Sequence, residues 1–133
     1  MDRADVARWL DDYVEAWKTY DRDRIAALFA EDVEYRYHPY DKPITGRDAV
    51  VQSWLGEGEH EGASTRDPEG TYDASYAPVA VDGDAAVAVG SSTYYDKPGG
   101  AVEKVYANCY VMRFDAEGRC REFTEWFMKR PDA

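Results

Sequence analysis

The chain has 133 residues, of which 44% are hydrophobic, and it carries a net charge of −11 at pH 7. This length fits one ordinary domain over residues 1–133, and the hydrophobic content excludes a disordered chain. Because the negative charge repels phosphate groups, we expect neither nucleic acid nor an anionic membrane as a partner. The first residues show no apolar signal-peptide core, and no later apolar run is long enough to cross a bilayer.

The first half of the chain shows the spacing of helices. Apolar residues recur three or four positions apart through residues 6–20, and Asp5 is the expected N-cap of this helix. Shorter helical patterns follow at 24–30 and 47–55, and a strand pattern lies between them at 33–37. Three helices are therefore predicted before the chain changes character.

Residues 56–66 form a polar, glycine-rich stretch, for which we expect a mobile loop that could close over a pocket. The stretch contains His60 between Glu59 and Glu61, and His60 is expected to be a solvated surface residue. Weak binding of a divalent ion is the less favoured alternative, since the spacing lacks the pattern of a tetrahedral site. No metal site is predicted.

Alternating strand patterns dominate the rest of the chain. Strands are predicted at 71–81 and 85–95 around an Asp-Gly turn, and at 102–114 and 119–128 around a second turn. Helices followed by a meander of strands indicate an α+β fold. We expect a strongly bent antiparallel sheet with the three N-terminal helices on its concave face.

The last predicted hairpin indicates which side chains share a face. A turn that pairs residues 114 and 119 places Asn108 opposite Glu125 and Tyr110 opposite Phe123, on a face rich in aromatic residues. A carboxylate among aromatic rings is unfavourable unless it is paired or functional, so Glu125 is a candidate for a general base, and His38 is the other. The alternative is a partly exposed Glu125 in a salt bridge with an arginine.

The two cysteines are predicted to be free thiols. The same register places Cys109 opposite Thr124, about 13 Å from Cys120 at the usual rise per residue, which exceeds the reach of a disulfide. Free thiols agree with a reducing compartment. Together with the N-terminal sequence they predict a cytoplasmic location.

Three segments carry a resemblance to a known family: YVEAWKTYDRDRIAALFAED at 13–32, VEYRYHPYDKPITGRDAV at 33–50 and YVMRFDAEGR at 110–119. They resemble the nuclear-transport-factor-2-like superfamily, which includes SnoaL-like polyketide cyclases, ketosteroid isomerases and limonene epoxide hydrolases. The resemblance runs from about residue 6 to residue 127. It implies a single SnoaL-like domain, folded as a cone-shaped barrel around an internal pocket and commonly found as a homodimer.

The similarity to ketosteroid isomerases implies roles for three residues. Tyr13 falls on their oxyanion-hole tyrosine, His38 lies near their general-base aspartate, and Tyr110 stands where they have a second oxyanion donor, an aspartate. Because two of these three positions differ in residue type, steroid isomerisation is not predicted. The comparison still implies His38 as a candidate base, with Tyr13 and Tyr110 as hydrogen-bond donors to an oxyanion.

The similarity to limonene epoxide hydrolases places Glu125 on one aspartate of their catalytic triad and Tyr35 on their water-binding tyrosine. Tyr37 stands where those enzymes have an asparagine, and Ser91 and Thr93 stand where they have an arginine and a second aspartate. Without that charged pair the chain has no evident means of protonating an epoxide. Epoxide hydrolysis is therefore not predicted.

The candidate site residues fall into two groups. The catalytic candidates are Glu125, His38, Tyr13 and Tyr110. The candidates for binding a small molecule are Asn108, Tyr35, Tyr37, Trp17, Trp54, Phe123 and Phe127, although core packing is the favoured alternative for Trp17. No cofactor is predicted.

Two functions remain open. The first is a cofactor-free enzyme of the isomerase, cyclase or hydrolase type, which performs proton transfer or hydration on a small, partly apolar, oxygen-bearing molecule. The second is a non-catalytic module of the same fold, which binds a small molecule or dimerises. Convergence of the four catalytic candidates on one cavity would favour the enzyme. A homodimer through the convex face of the sheet, around Val111 and Trp126, is expected in either case.

Overall fold

The three predicted helices and five predicted strands occur in the predicted order, with one additional short strand, in a computed structural model that describes residues 1–57 and 66–132. The helices are α1 (Arg3–Thr19), α2 (Arg22–Ala27) and α3 (Arg47–Trp54). The strands are β1 (Phe29–Arg36), β2 (Ile44–Thr45), β3 (Tyr72–Asp82), β4 (Ala85–Tyr95), β5 (Val102–Phe114) and β6 (Cys120–Lys129). Most of the predicted loop at 56–66, including His60, lies outside the described residues.

The first helix begins earlier than its predicted cap. Asp2 is the N-cap, and its side chain accepts a hydrogen bond from the backbone N–H of Asp5 at 2.8 Å. The Asp5 carboxylate in turn accepts one from the backbone N–H of Asp2 at 3.0 Å. The expectation that Asp5 is the cap is therefore wrong: Asp5 is the third helical residue of a reciprocal capping box, which satisfies two free backbone donors.

The boundary between α2 and β1 also differs from the sequence pattern. α2 ends at Ala27 and β1 begins at Phe29, whereas the pattern predicts a helix to residue 30 and a strand from 33. Phe29 pairs with Cys120 in the sheet, and the Cys120 N–H donates to the Leu28 carbonyl oxygen at 2.9 Å. Pairing with the last strand therefore overrides the local helical spacing.

Six strands form one curled sheet in the order β2-β1-β6-β5-β4-β3. The meander from β3 to β6 is antiparallel throughout, as predicted. β1 pairs with β6 in parallel, so the complete sheet is mixed rather than wholly antiparallel. The predicted α+β architecture, with helices at the N-terminus and a cone-shaped sheet, is confirmed.

The core lies between α1 and the sheet. α1 buries Val6, Trp9, Leu10, Tyr13 and Ala16 along one side. The Trp9 ring contacts aromatic rings from β1, β5 and β6, and its indole N–H donates to a backbone carbonyl at 3.0 Å. Among the described residues, no helix combines the length and the apolar character needed to span a lipid bilayer.

The register of the last hairpin is shifted by two residues from the predicted one. Tyr110 lies opposite Glu125, and Asn108 lies opposite Phe127. The turn pairs Phe114 with residue 120 rather than 119, and an irregularity next to it adds one more residue. Because a two-residue shift preserves alternation, every side chain still points to its predicted face.

The cysteines follow the corrected register. Cys109 lies opposite Trp126 rather than Thr124. Both cysteines are free thiols, and Cys120 is fully buried, which raises the pKa of its thiol far above the ordinary value. A buried, protonated thiol is a poor nucleophile, so neither the sequence nor the structure gives Cys120 a chemical role.

Candidate functional site

A cavity of about 280 Å³ opens between α1, α3 and the inner face of the sheet. Its walls are mainly aromatic, and they carry a small number of polar groups. The lining residues are Tyr13, Trp17, Tyr20, Tyr35, Tyr37, Trp54, Asp67, Tyr76, Ser92, Tyr94, Lys104, Tyr106, Asn108, Tyr110, Glu125 and Phe127. An apolar cavity with a few convergent polar groups is the usual form of a small-molecule site.

Glu125 projects from β6 into this cavity. Its carboxylate accepts a hydrogen bond from the Asn108 side-chain amide at 2.7 Å. Glu125 is partly exposed, as the alternative interpretation expects. The salt bridge of that alternative is not observed, since no lysine or arginine among the described residues forms an ion pair with Glu125, and the nearby strand residue Arg113 contacts Asp84 and Glu122.

The electrostatic state of Glu125 follows from its burial. Removal from water raises the pKa of Glu125 to about 7, although the hydrogen bond from Asn108 and the proximity of His38 both act to lower it. A carboxyl group with a pKa near neutrality exists in both protonation states at physiological pH. Glu125 can therefore accept a proton and return it within one reaction cycle.

A chain of hydrogen bonds orients the groups around Glu125. The Tyr76 and Ser92 hydroxyls are 2.7 Å apart, and Ser92 donates to the Asn108 carbonyl oxygen at 2.8 Å. Since Ser92 donates to Asn108, its own oxygen is the acceptor for Tyr76, and every donor in the chain points toward Glu125. This order holds the Asn108 amide with its NH₂ group facing the carboxylate.

Tyr13 and Tyr110 meet at the inner end of the cavity. Their ring centroids are 5.6 Å apart, and Tyr110 stands opposite Glu125 across the β5–β6 pair. Burial raises the pKa of both phenols well above the ordinary value, and the nearby Glu125 charge adds to the effect. Both hydroxyls therefore stay protonated and can serve as hydrogen-bond donors.

His38 does not line the cavity with the other catalytic candidates. β1 ends at Arg36, so His38 has already left the sheet, and 56% of its side chain is exposed. Its Nδ1 atom lies 2.9 Å from a carboxylate oxygen of Asp41, and its ring lies 5.1 Å from that of Phe127. The expected convergence of four residues thus holds for Tyr13, Tyr110 and Glu125, with His38 outside the cavity wall.

Of the predicted binding residues, one lies behind the cavity wall and the others line the cavity. Phe123 is fully buried behind the cavity wall, where it stacks on Tyr35 with centroids 4.6 Å apart and contacts Tyr110 with centroids 4.9 Å apart. The remaining predicted residues do line the cavity: Asn108, Tyr35, Tyr37, Trp17, Trp54 and Phe127. The Tyr37 hydroxyl lies 2.9 Å from that of Ser53.

Trp54 carries an unsatisfied donor. Its ring lies 5.0 Å from that of Tyr13 at the inner end of the cavity, and the residue is only 5% exposed. Within the described residues, the Trp54 indole nitrogen is buried without a hydrogen-bond partner. Buried donors are almost always paired, so this unpaired N–H is a cost to the stability of the inner wall of the cavity.

Several lining residues are absent from the sequence-based candidates. Tyr76, Ser92 and Tyr94 come from β3 and β4, and Asp67 and Lys104 lie toward the other end of the cavity. Alternation along β4 would have placed Ser92 and Tyr94 on one face, but only the pairing of β4 with β5 shows that this face is the inner one. Asp67 has no such signal, because it precedes the strands.

Among the described residues, no three histidine, cysteine or acidic side chains lie close enough together to hold an ion. The stretch with His60, Glu59 and Glu61 lies outside the described residues. The polar groups that line the cavity are carboxyl, hydroxyl, amide and ammonium groups.

Comparison with known proteins agrees with this architecture. The profile of the SnoaL-like domain family matches residues 10–123. No curated protein matches the sequence.

Two solved structures show the same fold. The structure of an LEH-like epoxide hydrolase from M. tuberculosis superimposes with a TM-score of 0.63 at 16% identity, over 95% of this chain and 84% of the other. The "putative ketosteroid isomerase" of Kribbella flavida DSM 17836 superimposes with a TM-score of 0.67 at 17% identity, over 99% and 84%. Since the family profile spans most of the chain, this protein belongs to the SnoaL-like family of the nuclear-transport-factor-2-like superfamily.

Proposed function

We propose that the chain is a cofactor-free acid–base enzyme that acts on a small, partly apolar, oxygen-bearing molecule in this cavity. One observation carries the proposal: Glu125 is a half-buried carboxyl group among aromatic rings, hydrogen-bonded to a neutral amide, with no lysine or arginine paired to it among the described residues. Such a group is costly for stability. The Glu125 carboxyl group lies beside two protonated phenols, which can donate hydrogen bonds, and this arrangement suits proton transfer.

The proposed reaction is proton abstraction from a carbon next to a carbonyl group. The Glu125 carboxylate takes the proton, the electron pair of the C–H bond forms the enol C=C bond, and the carbonyl electrons move to oxygen. Hydroxyl donors from Tyr110 and Tyr13 stabilise the resulting oxyanion. Protonated Glu125 then returns the proton to carbon, which restores the starting state of the enzyme.

Exchange of carbon-bound hydrogen for deuterium tests this function without knowledge of the natural substrate. The probe is 2-tetralone, an apolar ketone with acidic protons beside its carbonyl group, followed by proton NMR in D₂O. The protein should accelerate exchange at C1 above the rate in buffer alone. If the ketone perturbs cavity resonances but exchanges no faster than in buffer, the chain is a binding module and the enzymatic proposal fails.

The Tyr110 hydroxyl should contribute strongly to the rate. Tyr110→Phe removes one oxyanion donor from the position opposite Glu125, so we expect a loss of about 100-fold in kcat for exchange with little change in KM. Tyr95→Phe, on β4 and outside the cavity lining, is the matched control and should retain the rate. A large rise in KM with unchanged kcat would assign Tyr110 to binding alone.

A homodimer in the cytoplasm is proposed as the working form. Val89, Val111 and Trp126 are 40–44% exposed on the convex face, where β4, β5 and β6 are neighbours. A contiguous apolar face of this kind is usually covered by a partner, and two-fold symmetry is the commonest arrangement. Light scattering at micromolar concentration should give about twice the 15.1 kDa of one chain. A particle of one chain mass would contradict it.

A further inference from the structure

Lys104 has no role in the chemistry proposed above. Among the described residues that line the cavity, it is the only one with a positive charge. Its ammonium nitrogen lies 5.0 Å from the ring centroid of Tyr94 and 5.6 Å from that of Tyr106. The two ring faces attract the ammonium group and hold it at the cavity wall.

The ammonium group has hydrogen-bonding capacity that the described residues do not use. It offers three N–H donors, and none of them forms a hydrogen bond or ion pair with another described residue. Asp67 is the lining residue whose carboxyl pKa the charge of Lys104 lowers. Its carboxylate already accepts hydrogen bonds from the Trp17 indole at 3.1 Å and the Tyr20 hydroxyl at 3.4 Å.

The charge of Lys104 affects the pKa of Asp67, although the two side chains form no ion pair. Burial raises the pKa of Asp67, and hydrogen bonds from Trp17 and Tyr20 and the charge of Lys104 act in the opposite direction. The two charges therefore lie near each other, yet no ion pair forms between them. The lysine is half-buried, oriented by aromatic rings and free to meet a negative group of a bound molecule.

Lys104 and Glu125 mark opposite ends of the cavity. Lys104 and Asn108 lie on the same face of β5, four residues apart, which separates their Cα atoms by about 13 Å. Asn108 contacts Glu125, so the ammonium end is distinct from the end with the carboxyl and phenol groups. A molecule that fills the cavity lengthwise reaches both.

We infer that the substrate is a small cyclic oxo acid whose carboxylate binds Lys104 while its carbonyl end lies between Glu125 and Tyr110. This inference rests on the proposed function for the position of the carbonyl group, but not for the carboxylate. A cavity of about 280 Å³ is at the lower limit of ligand sites, which span roughly 300–1,000 Å³, so one ring with a short chain fits it. A neutral end group would leave the ammonium without a directly paired negative group.

Paired probes test the carboxylate directly. We would compare 4-phenylbutyrate with its neutral amide, 4-phenylbutyramide, by titration calorimetry in low salt at about pH 6, where Glu125 is mostly protonated. The acid should bind about tenfold more tightly than the amide, as expected for one hydrogen-bonded charge pair. Lys104→Met keeps the aliphatic stem and should abolish this preference, whereas Lys97→Met, an exposed control with the same charge change, should retain it.

Two further variants keep the test decisive if Lys104→Met is unstable. Lys104→Arg preserves the charge and should retain the preference for the acid. Asp67→Asn removes the competing carboxylate and should strengthen binding of the acid severalfold. Equal binding of acid and amide by the unmodified protein, or failure of the acid to bind, overturns the inference. Because binding is measured without turnover, such a result leaves the exchange assay as a separate test of the proposed function.

Discussion

Glu125→Gln should reduce the catalysed exchange of 2-tetralone by about 10²–10⁴-fold, the usual contribution of a positioned general base. Glutamine has nearly the same shape, and its carbonyl oxygen can still accept the hydrogen bond from Asn108. The substitution therefore removes the proton acceptor and little else. Circular dichroism of the variant should match that of the unmodified protein, which separates loss of chemistry from loss of structure.

The pH dependence of the exchange reaction should follow the ionisation of Glu125. With Glu125 as the base, kcat/KM should rise with pH through a midpoint near 7, because burial raises the pKa of this carboxyl group to about 7 and only the ionised form accepts a proton. The tyrosines that face Glu125 remain protonated throughout, since burial raises their pKa values. Asn108→Ala removes a hydrogen bond that lowers the pKa and should move the midpoint upward.

A matched exposed substitution provides the control. Glu103→Gln makes the same chemical change on the solvent-exposed part of β5 and should leave the rate and the midpoint unaltered. Full activity of Glu125→Gln would exclude Glu125 as the base. Activity that falls rather than rises through pH 7 would instead make protonated Glu125 a general acid.

The second large effect of Glu125→Gln is on stability. Most substitutions of residues in a protein interior destabilise the fold, whereas this one should stabilise it at high pH. The folded-state pKa of Glu125 is about 7, above the value of 4.5 expected in the unfolded chain. The folded state therefore binds this proton more tightly, and the free energy of unfolding falls as pH rises from 4.5 to 7. Above pH 7 the ionised Glu125 should destabilise the fold by about 3 kcal/mol.

Urea unfolding of the unmodified protein and of Glu125→Gln at pH 5 and pH 8 tests this expectation. The two proteins should be similar in stability at pH 5, and Glu125→Gln should be more stable at pH 8 by about 3 kcal/mol. Glu103→Gln should follow the unmodified protein at both values. Equal stability of the Glu125→Gln variant and the unmodified protein at pH 8 would show that the carboxylate is well solvated, which contradicts the enclosed site.

Local sequence chemistry specifies most of the meander. The Asp-Gly turn at 82–83, where Gly83 has φ +60°, ends β3 and starts β4, and the predicted ranges 85–95 and 102–114 agree with β4 and β5 at both ends. Alternation along β5 and β6 also predicts that Asn108 and Glu125 share the inner face. These features depend on near neighbours in the chain, so they are visible in the sequence.

Contacts between distant segments explain the main difference between the predicted and the observed strands. The parallel pairing of β1 with β6 extends β1 to Phe29, which the helical spacing of 24–30 conceals. The extent of β1 depends on which strand becomes a neighbour, and a local pattern contains no information about that choice. The position of His38 has a local cause instead, because β1 ends at Arg36 and the ring then contacts Asp41 three residues further on, outside the cavity.

The sequence by itself determined the order of the elements, the class of fold and the face on which Glu125 lies, because these follow from periodicity and turn chemistry. Only the tertiary structure decided what surrounds Glu125. The turn and the adjacent irregularity shift the β5–β6 register by one residue each, which sets Tyr110 opposite Glu125. Closure of the sheet then brings the Tyr76–Ser92 pair to Asn108 at one end and Lys104 to the other. Each strand specifies its own inward face, but the identity of the groups that meet there depends on register and curvature, which arise only when all strands pack together.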